Sequence, residues 1–170
     1  ANCAALGEAH FGAGRVHENF IGLTLGTGVG SGIILDDHIY HGQRGFAGEF
    51  GHISIDLNGN PCNCGNRGCI EAYVGIHYMM KEAIPLLLGV PDSPLYQRAR
   101  SEPETLKPHD LSEAAAEGDR ISIEMLNRSG ERLGVAIASA ANLLDVTTFI
   151  IGGGIGGAGD LLFEDVRRGE

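Results

Sequence analysis

The chain has 170 residues, 43% of them hydrophobic, and a formal net charge of −10 from 22 acidic and 12 basic side chains. That length suffices to bury one domain's core, and the acidic balance argues against direct nucleic-acid contact, which relies on Lys and Arg neutralising phosphates. No apolar run approaches the roughly 20 residues that span a bilayer, and no basic-then-apolar signal segment opens the chain.

Ala1 to Ala9 reads as a helix already in progress, with no capping side chain before it, so a longer parent protein is expected. Phe20 to Leu25 and Gly32 to Leu35 predict two strands joined by the glycine-rich turn Gly26-Thr27-Gly28-Val29-Gly30-Ser31. His38 to His41 predicts a short third strand, and Ile53-Ser54-Ile55 alternates as another. From Ile70 to about Leu88 the sequence is apolar and helix-compatible, with Pro85 expected to end or kink it. Residues 89–109 hold Pro91, Pro94, Pro103 and Pro108 and read as a connector with a short helical turn. Leu111 to Ala116 and Asp119 to Leu144 predict helices, the second placing Ile123, Leu126, Leu133, Ile137 and Ala141 toward the core. Thr147 to Ile151 predicts a last strand, Gly152 to Gly157 a turn and Asp160 to Arg168 a helix. Hairpin, helices and a strand-glycine-helix unit together predict a layered α/β domain.

Cys62, Cys64 and Cys69 form the pattern Cys-x-Cys-Gly-x-x-Gly-Cys, and His52 precedes it by ten residues. Three thiolates and one imidazole match the tetrahedral N and S ligand set of Zn²⁺. Four protein ligands leave no position for a catalytic water, so a structural zinc is expected in loop 52–69. Gly65 and Gly68 can take the positive φ angles that fold a short loop around an ion. Of 4 Cys, three cluster in this loop, which is poor material for a disulfide framework. Cys3, far from the cluster, is expected to be a buried thiol. Reduced, metal-binding cysteines in a chain without a signal segment read as cytoplasmic.

The string Glu49-Phe50-Gly51-His52, followed by Cys62-Asn63-Cys64-Gly65-Asn66-Arg67-Gly68-Cys69-Ile70-Glu71, resembles the signature of the ROK family of repressors, open reading frames and sugar kinases. The likeness runs from Ala1-Asn2 to Gly152-Gly153-Gly154, nearly the whole chain. It implies the C-terminal lobe of an actin-like, ribonuclease H-like ATPase fold with an inserted zinc loop, residues 1–170 forming that lobe without the N-terminal one. It implies a sugar kinase such as a glucokinase, which uses ATP and Mg²⁺ to phosphorylate a hexose or N-acetylhexosamine hydroxyl. Members resembling this chain carry an Asn-Asp pair just before the Ala-Asn, and its Asp is the catalytic base. That position falls immediately before Ala1, so no catalytic residue is expected here and the chain alone is expected to be inactive. The family's Asp-x-Gly-Gly-Thr phosphate loop is absent from this sequence too. The resemblance also suggests a homodimer. An alternative is the sugar-sensing domain of a ROK repressor, whose DNA-binding helices would lie upstream.

The same resemblance assigns the site residues. Glu49, His52 and Glu71 are expected to bind the sugar, since carboxylates accept hydrogen bonds from hydroxyls and the zinc loop holds them in place. His52 would close the metal site with one ring nitrogen and face a hydroxyl with the other. Asn2 either supports that pocket or packs its helix. Glycines in the turn Gly26 to Gly32 would let backbone N–H groups approach a phosphate, although such a turn also serves simply to join two strands. The resemblance favours the phosphate, with Thr27 offering a hydroxyl and Gly28 an amide; no Gly-Lys-Ser/Thr follows, so this is not a Walker loop. Gly152, Gly153 and Gly154 are assigned to the adenosine side of ATP, and by themselves fit tight strand-to-helix packing equally well.

Overall fold

In the computed structural model, which describes residues 1–154, the sheet is built on the hairpin. Phe20–Leu25 (β1) pairs antiparallel with Val29–Leu35 (β2), from Phe20 opposite Ile34 to Leu25 opposite Val29. The second strand starts earlier than expected. Gly26 N–H donates to the Gly28 carbonyl and closes the turn within three residues, freeing Val29, Gly30 and Ser31 to pair. His38–Ile39 (β3) adds to the outer edge of β2, and Phe149–Gly152 (β4) pairs parallel with β1, giving the order β3-β2-β1-β4. The third strand is shorter than expected, while Ile53-Ser54-Ile55 makes only the single bridge Ser54 to Cys69.

Both faces of this sheet are covered, so β1 reads as a continuous apolar run rather than an alternation. Asn2–Phe11 (α1) lies on one face, where Ala5 packs with Phe20 and Ile34. The other face, with Ile21, Leu23, Leu25 and Ile33, meets the helical layer. That layer comprises Glu71–Val74 (α2), Ile76–Leu87 (α3), Tyr96–Ser101 (α4), Pro108–Ala116 (α5) and Arg120–Leu144 (α6). The expected single helix from Ile70 is broken at Gly75, which is extended (ψ 140°), and not at Pro85. Pro85 sits in the last turn of α3; it deprives the Lys81 carbonyl of its helical partner, but only two helical residues follow it, so the loss does not break the helix. α5 starts at Pro108, whose fixed φ suits a first helical position, with the Asp110 carboxylate accepting the Lys107 N–H at 2.8 Å.

Asp119 caps α6, its side chain accepting the Ser122 N–H at 2.9 Å. Of the five residues expected to face the core, Leu126 and Leu133 are buried, Ile123 and Ile137 are partly covered and pack against the core, and Ala141 is only partly covered. The buried stripe runs instead through Ile121, Met125, Leu126, Ser129, Gly130, Leu133, Gly134 and Ala136. Small residues line it because they let neighbouring elements come close, a preference that hydropathy alone does not register. Cys3 is exposed on α1, not buried. The expected helix Asp160 to Arg168 and the end of the turn before it lie outside the described residues. Among the described residues no helix is long and apolar enough to cross a membrane.

Glu82 of α3 ties the helical layer together. Its carboxylate accepts from Arg132 at 2.8 Å and from Arg128 at 3.2 Å, both on α6. Arg132 in turn lies over the Tyr73 ring of α2, 4.6 Å from its centroid. Burial raises the Glu82 pKa, but the two guanidiniums outweigh it and the carboxyl is held below its ordinary 4.5. A depressed carboxyl stabilises the fold above pH 4.5 and loses that contribution as pH falls through its folded value. Glu82→Gln is therefore expected to cost about 1–2 kcal/mol at pH 7, between exposed-pair and buried-pair values. The gap between the two proteins in thermal unfolding should close toward pH 3; a gap that stays constant with pH would exclude the ion pair as its cause.

Candidate functional site

The loop that follows β3 is shaped by short backbone links. Cys62 N–H donates to the Asn66 carbonyl at 2.9 Å, Gly65 N–H to the Cys62 carbonyl at 3.0 Å, and Pro61 bridges to Arg67. Gly65 (φ +92°) and Gly68 (φ +71°) take the left-handed conformations expected of them. A Cβ on Gly68 would also collide with the Asp56 carbonyl, so the loop closes only around a glycine. Two hydroxyls brace the outside: Tyr78 accepts the Asn63 N–H at 3.2 Å, and Tyr73 accepts the Asn60 N–H at 3.1 Å while donating to Asp56. Sequence reading missed both tyrosines, because nothing in an apolar helix marks which ring turns back onto a loop.

This loop gathers His52, Cys62, Cys64 and Cys69 so that their ligand atoms all lie within 4.8 Å of one another. Cys62 Sγ is 3.7 Å from His52 Nδ1, and Cys64 Sγ is 3.6 Å from Cys69 Sγ. A tetrahedron with one zinc–nitrogen bond of about 2.0 Å and three zinc–sulfur bonds of about 2.3 Å has edges of about 3.5–3.8 Å, which these two separations match, so the donor set suits Zn²⁺. Burial, then hydrogen bonds and charge repulsion from Cys64 and Cys62, push the Cys69 thiol up to about 12. Exposed Cys64 is held below its ordinary value, chiefly by a backbone hydrogen bond at Asn66. A divalent cation among these sulfurs would supply the charge that allows all three to ionise together.

With Nδ1 turned to the sulfurs, His52 points Nε2 toward Glu49, whose Oε2 lies 3.9 Å away. Glu49 is open to solvent and His52 partly so, leaving their facing atoms accessible to a hydroxyl-bearing ligand. Glu71, expected beside this pair, opens α2, and its Oε2 accepts the Val29 N–H at 3.1 Å. Asn2, at the start of α1, lies against Gly32 of β2.

The two glycine segments, far apart in sequence, meet. Since β1 and β4 run parallel with Thr24 opposite Gly152, the loops leaving their carboxyl ends emerge side by side, the usual place for a ligand in such a sheet. A cavity of about 400 Å³ forms there, lined by Gly26, Thr27, Gly28 and Glu71 on one side and Gly153 and Gly154 on the other. Gly152 itself belongs to β4 and does not line it. A larger cleft of about 630 Å³ lies behind the cysteine loop, where Arg132 and Glu82 are occupied with each other.

The ROK family model matches residues 1–169. A glucokinase from Thermotoga maritima is 36% identical over 99% of this chain and 53% of its own length. The crystal structure of a ROK family glucokinase from Streptomyces griseus in complex with glucose and AMPPNP superposes with a TM-score of 0.89 at 34% identity, covering 99% of this chain and 55% of that one. A ROK family transcriptional regulator, a homolog of the E. coli MLC protein, superposes with a TM-score of 0.88 at 31% identity over 99% of this chain and 41% of its own. The chain thus spans about half the length of the curated glucokinases it matches. Its mixed α/β architecture is that of the actin-like ATPase fold. On the full-length family match, the cysteine signature and the shared fold, the chain belongs to the ROK family.

Proposed function

We propose that this chain forms the C-terminal, zinc-bearing lobe of an ATP-dependent sugar kinase that phosphorylates a hexose or N-acetylhexosamine. The observation that carries this reading is the meeting of both glycine segments at one cavity, next to the helix that leaves the cysteine loop. A nucleotide needs such a cavity and a sugar sensor does not. The glucokinase relatives support the same reading, one of them a structure holding glucose and an ATP analogue.

In this proposal Glu49 accepts hydrogen bonds from sugar hydroxyls, and His52 presents Nε2 to the same ligand while Nδ1 closes the metal site. The zinc is structural, held by His52, Cys62, Cys64 and Cys69. Glu71 adds a third group to the sugar side. Backbone N–H groups and the Thr27 hydroxyl of loop 26–28 hold the phosphates, and Gly153 and Gly154, delivered by the end of β4 at Gly152, flank the adenosine side. Mg²⁺, bound with ATP, would neutralise phosphate charge during transfer. The proton of the attacking hydroxyl passes to the carboxylate expected just upstream of Ala1, outside this sequence. The parent is proposed to be cytoplasmic and homodimeric, with this acidic lobe making no direct nucleic-acid contact.

A second reading, the sugar-sensing domain of a ROK repressor, is supported by the match to the transcriptional regulator. ADP release by the full-length protein with Mg²⁺-ATP and a panel of glucose, mannose, fructose, allose, N-acetylglucosamine and N-acetylmannosamine separates the two. Strong turnover with one sugar is expected, and background turnover from the 170-residue chain alone. A sugar that raises the thermal midpoint without any turnover would give the repressor reading instead. For the metal, Cys64→Ser is expected to leave zinc substoichiometric by elemental analysis, with affinity down at least about tenfold and sugar binding weakened alongside. Apparent zinc affinity should rise with pH, since protons compete for the thiolates; full zinc in Cys64→Ser would remove Cys64 from the ligand set.

A further inference from the structure

The glycine loop is held from outside at both ends. The Val29 N–H, where the chain enters β2, donates to Glu71 Oε2 at 3.1 Å. The Gly26 carbonyl, where the chain leaves β1, accepts the Ile76 N–H at 3.0 Å. Both partners sit on the α2–Gly75–α3 junction, only a few residues past Cys69. Within the junction the Gly75 N–H donates to the Glu71 carbonyl at 2.9 Å, so the two points of attachment move as one bracket.

The glycines on either side confirm how close the fit is. Neither Gly28 nor Gly75 is among the positive-φ residues, so turn geometry does not require them. Close approach does. A Cβ on Gly28 would strike the Glu71 carboxylate, and one on Gly75 would lie 2.8 Å from the Glu71 carbonyl and 3.1 Å from that of Thr27. A carboxylate accepts at two oxygens, and among the described residues only Oε2 takes a hydrogen bond, which leaves Oε1 for a ligand.

We propose that Glu71 is a positioning residue: it clamps loop 26–28 to the helix that leaves the zinc loop, so that the phosphate-facing backbone is set by the same junction that carries the sugar-side carboxylate. This rests on the kinase reading for the identity of the ligand, and on the two hydrogen bonds and two close approaches for the clamp itself. A Glu71 that served the sugar alone would affect sugar binding and leave nucleotide binding untouched.

The experiment uses the full-length protein, with AMPPNP titrated in the absence of sugar and hydrogen exchange followed at the Val29 amide. Glu71→Ala is expected to weaken AMPPNP binding about tenfold and to speed Val29 exchange by a similar factor, as loss of a hydrogen bond to a charged group would. Zinc content should be unchanged. Glu71→Gln, which keeps an acceptor oxygen, should restore most of both. Gly28→Ala should resemble Glu71→Ala, and adding Glu71→Ala to it should bring no further loss, because the methyl then has room. Unchanged Val29 exchange and intact AMPPNP affinity in Glu71→Ala, with only the sugar KM raised, would overturn the clamp. If the wild type binds no AMPPNP, the kinase reading fails, and Val29 exchange in the alanine and glutamine variants still decides whether the clamp exists.

Discussion

Three sulfur atoms and one imidazole nitrogen packed within 4.8 Å impose an electrostatic condition that the surrounding structure has to satisfy. Burial pushes the Cys69 thiol up to about 12, so a cation among these donors would favour its ionised form. The loop's backbone hydrogen bonds and its two left-handed glycines set its shape, and the residues on its flanks are placed by it. His52 turns Nδ1 to Cys62, which leaves Nε2 toward Glu49. On the far side, Cys69 is followed at once by buried Ile70 and then by Glu71 at the head of α2, so the carboxylate inherits its position from the cluster. The tyrosines and Asp56 make the outer wall of the same unit.

The sheet contributes a second constraint of a different kind. An antiparallel neighbour would have sent the chain back toward the other end, whereas the parallel pairing of β4 with β1 delivers Gly153 and Gly154 beside Thr27 and Gly28. Neither segment forms a cavity alone. Gly153, at φ +101° and too close to Leu25 to carry a side chain, shows how tightly the two loops are set against each other.

Much of this was legible from residue spacing. The cysteine pattern with its two glycines, the limits of β1, the start of α6 near Asp119 and the strand before Gly152 all rest on local rules, and local rules survive into the structure. What was not legible depends on partners distant in sequence. The break at Gly75 carries a lone glycine as its local signal, which an apolar helix can also tolerate; the Gly26 carbonyl taking the Ile76 N–H is what fixes it there. The burial of Ser129, Gly130 and Gly134 on α6 follows from how close its neighbours come, a property of the packed state. Glu71 could be assigned by its place in a motif, but the hydrogen bond to Val29 could not. Cys3 looked like a core thiol by residue type and sits on the outer side of α1.

The pairing of β4 with β1 also has a kinetic meaning. The cysteine loop closes over a short stretch of chain, and the hairpin is local, so both can form early. Phe149 must find Ile21 across nearly the full chain, a search whose entropy is met only after the helices between them have compacted. The glycine cavity, half of which arrives with β4, is therefore completed at the end of folding. The cysteine loop can thus take its shape before the glycine cavity has both of its walls.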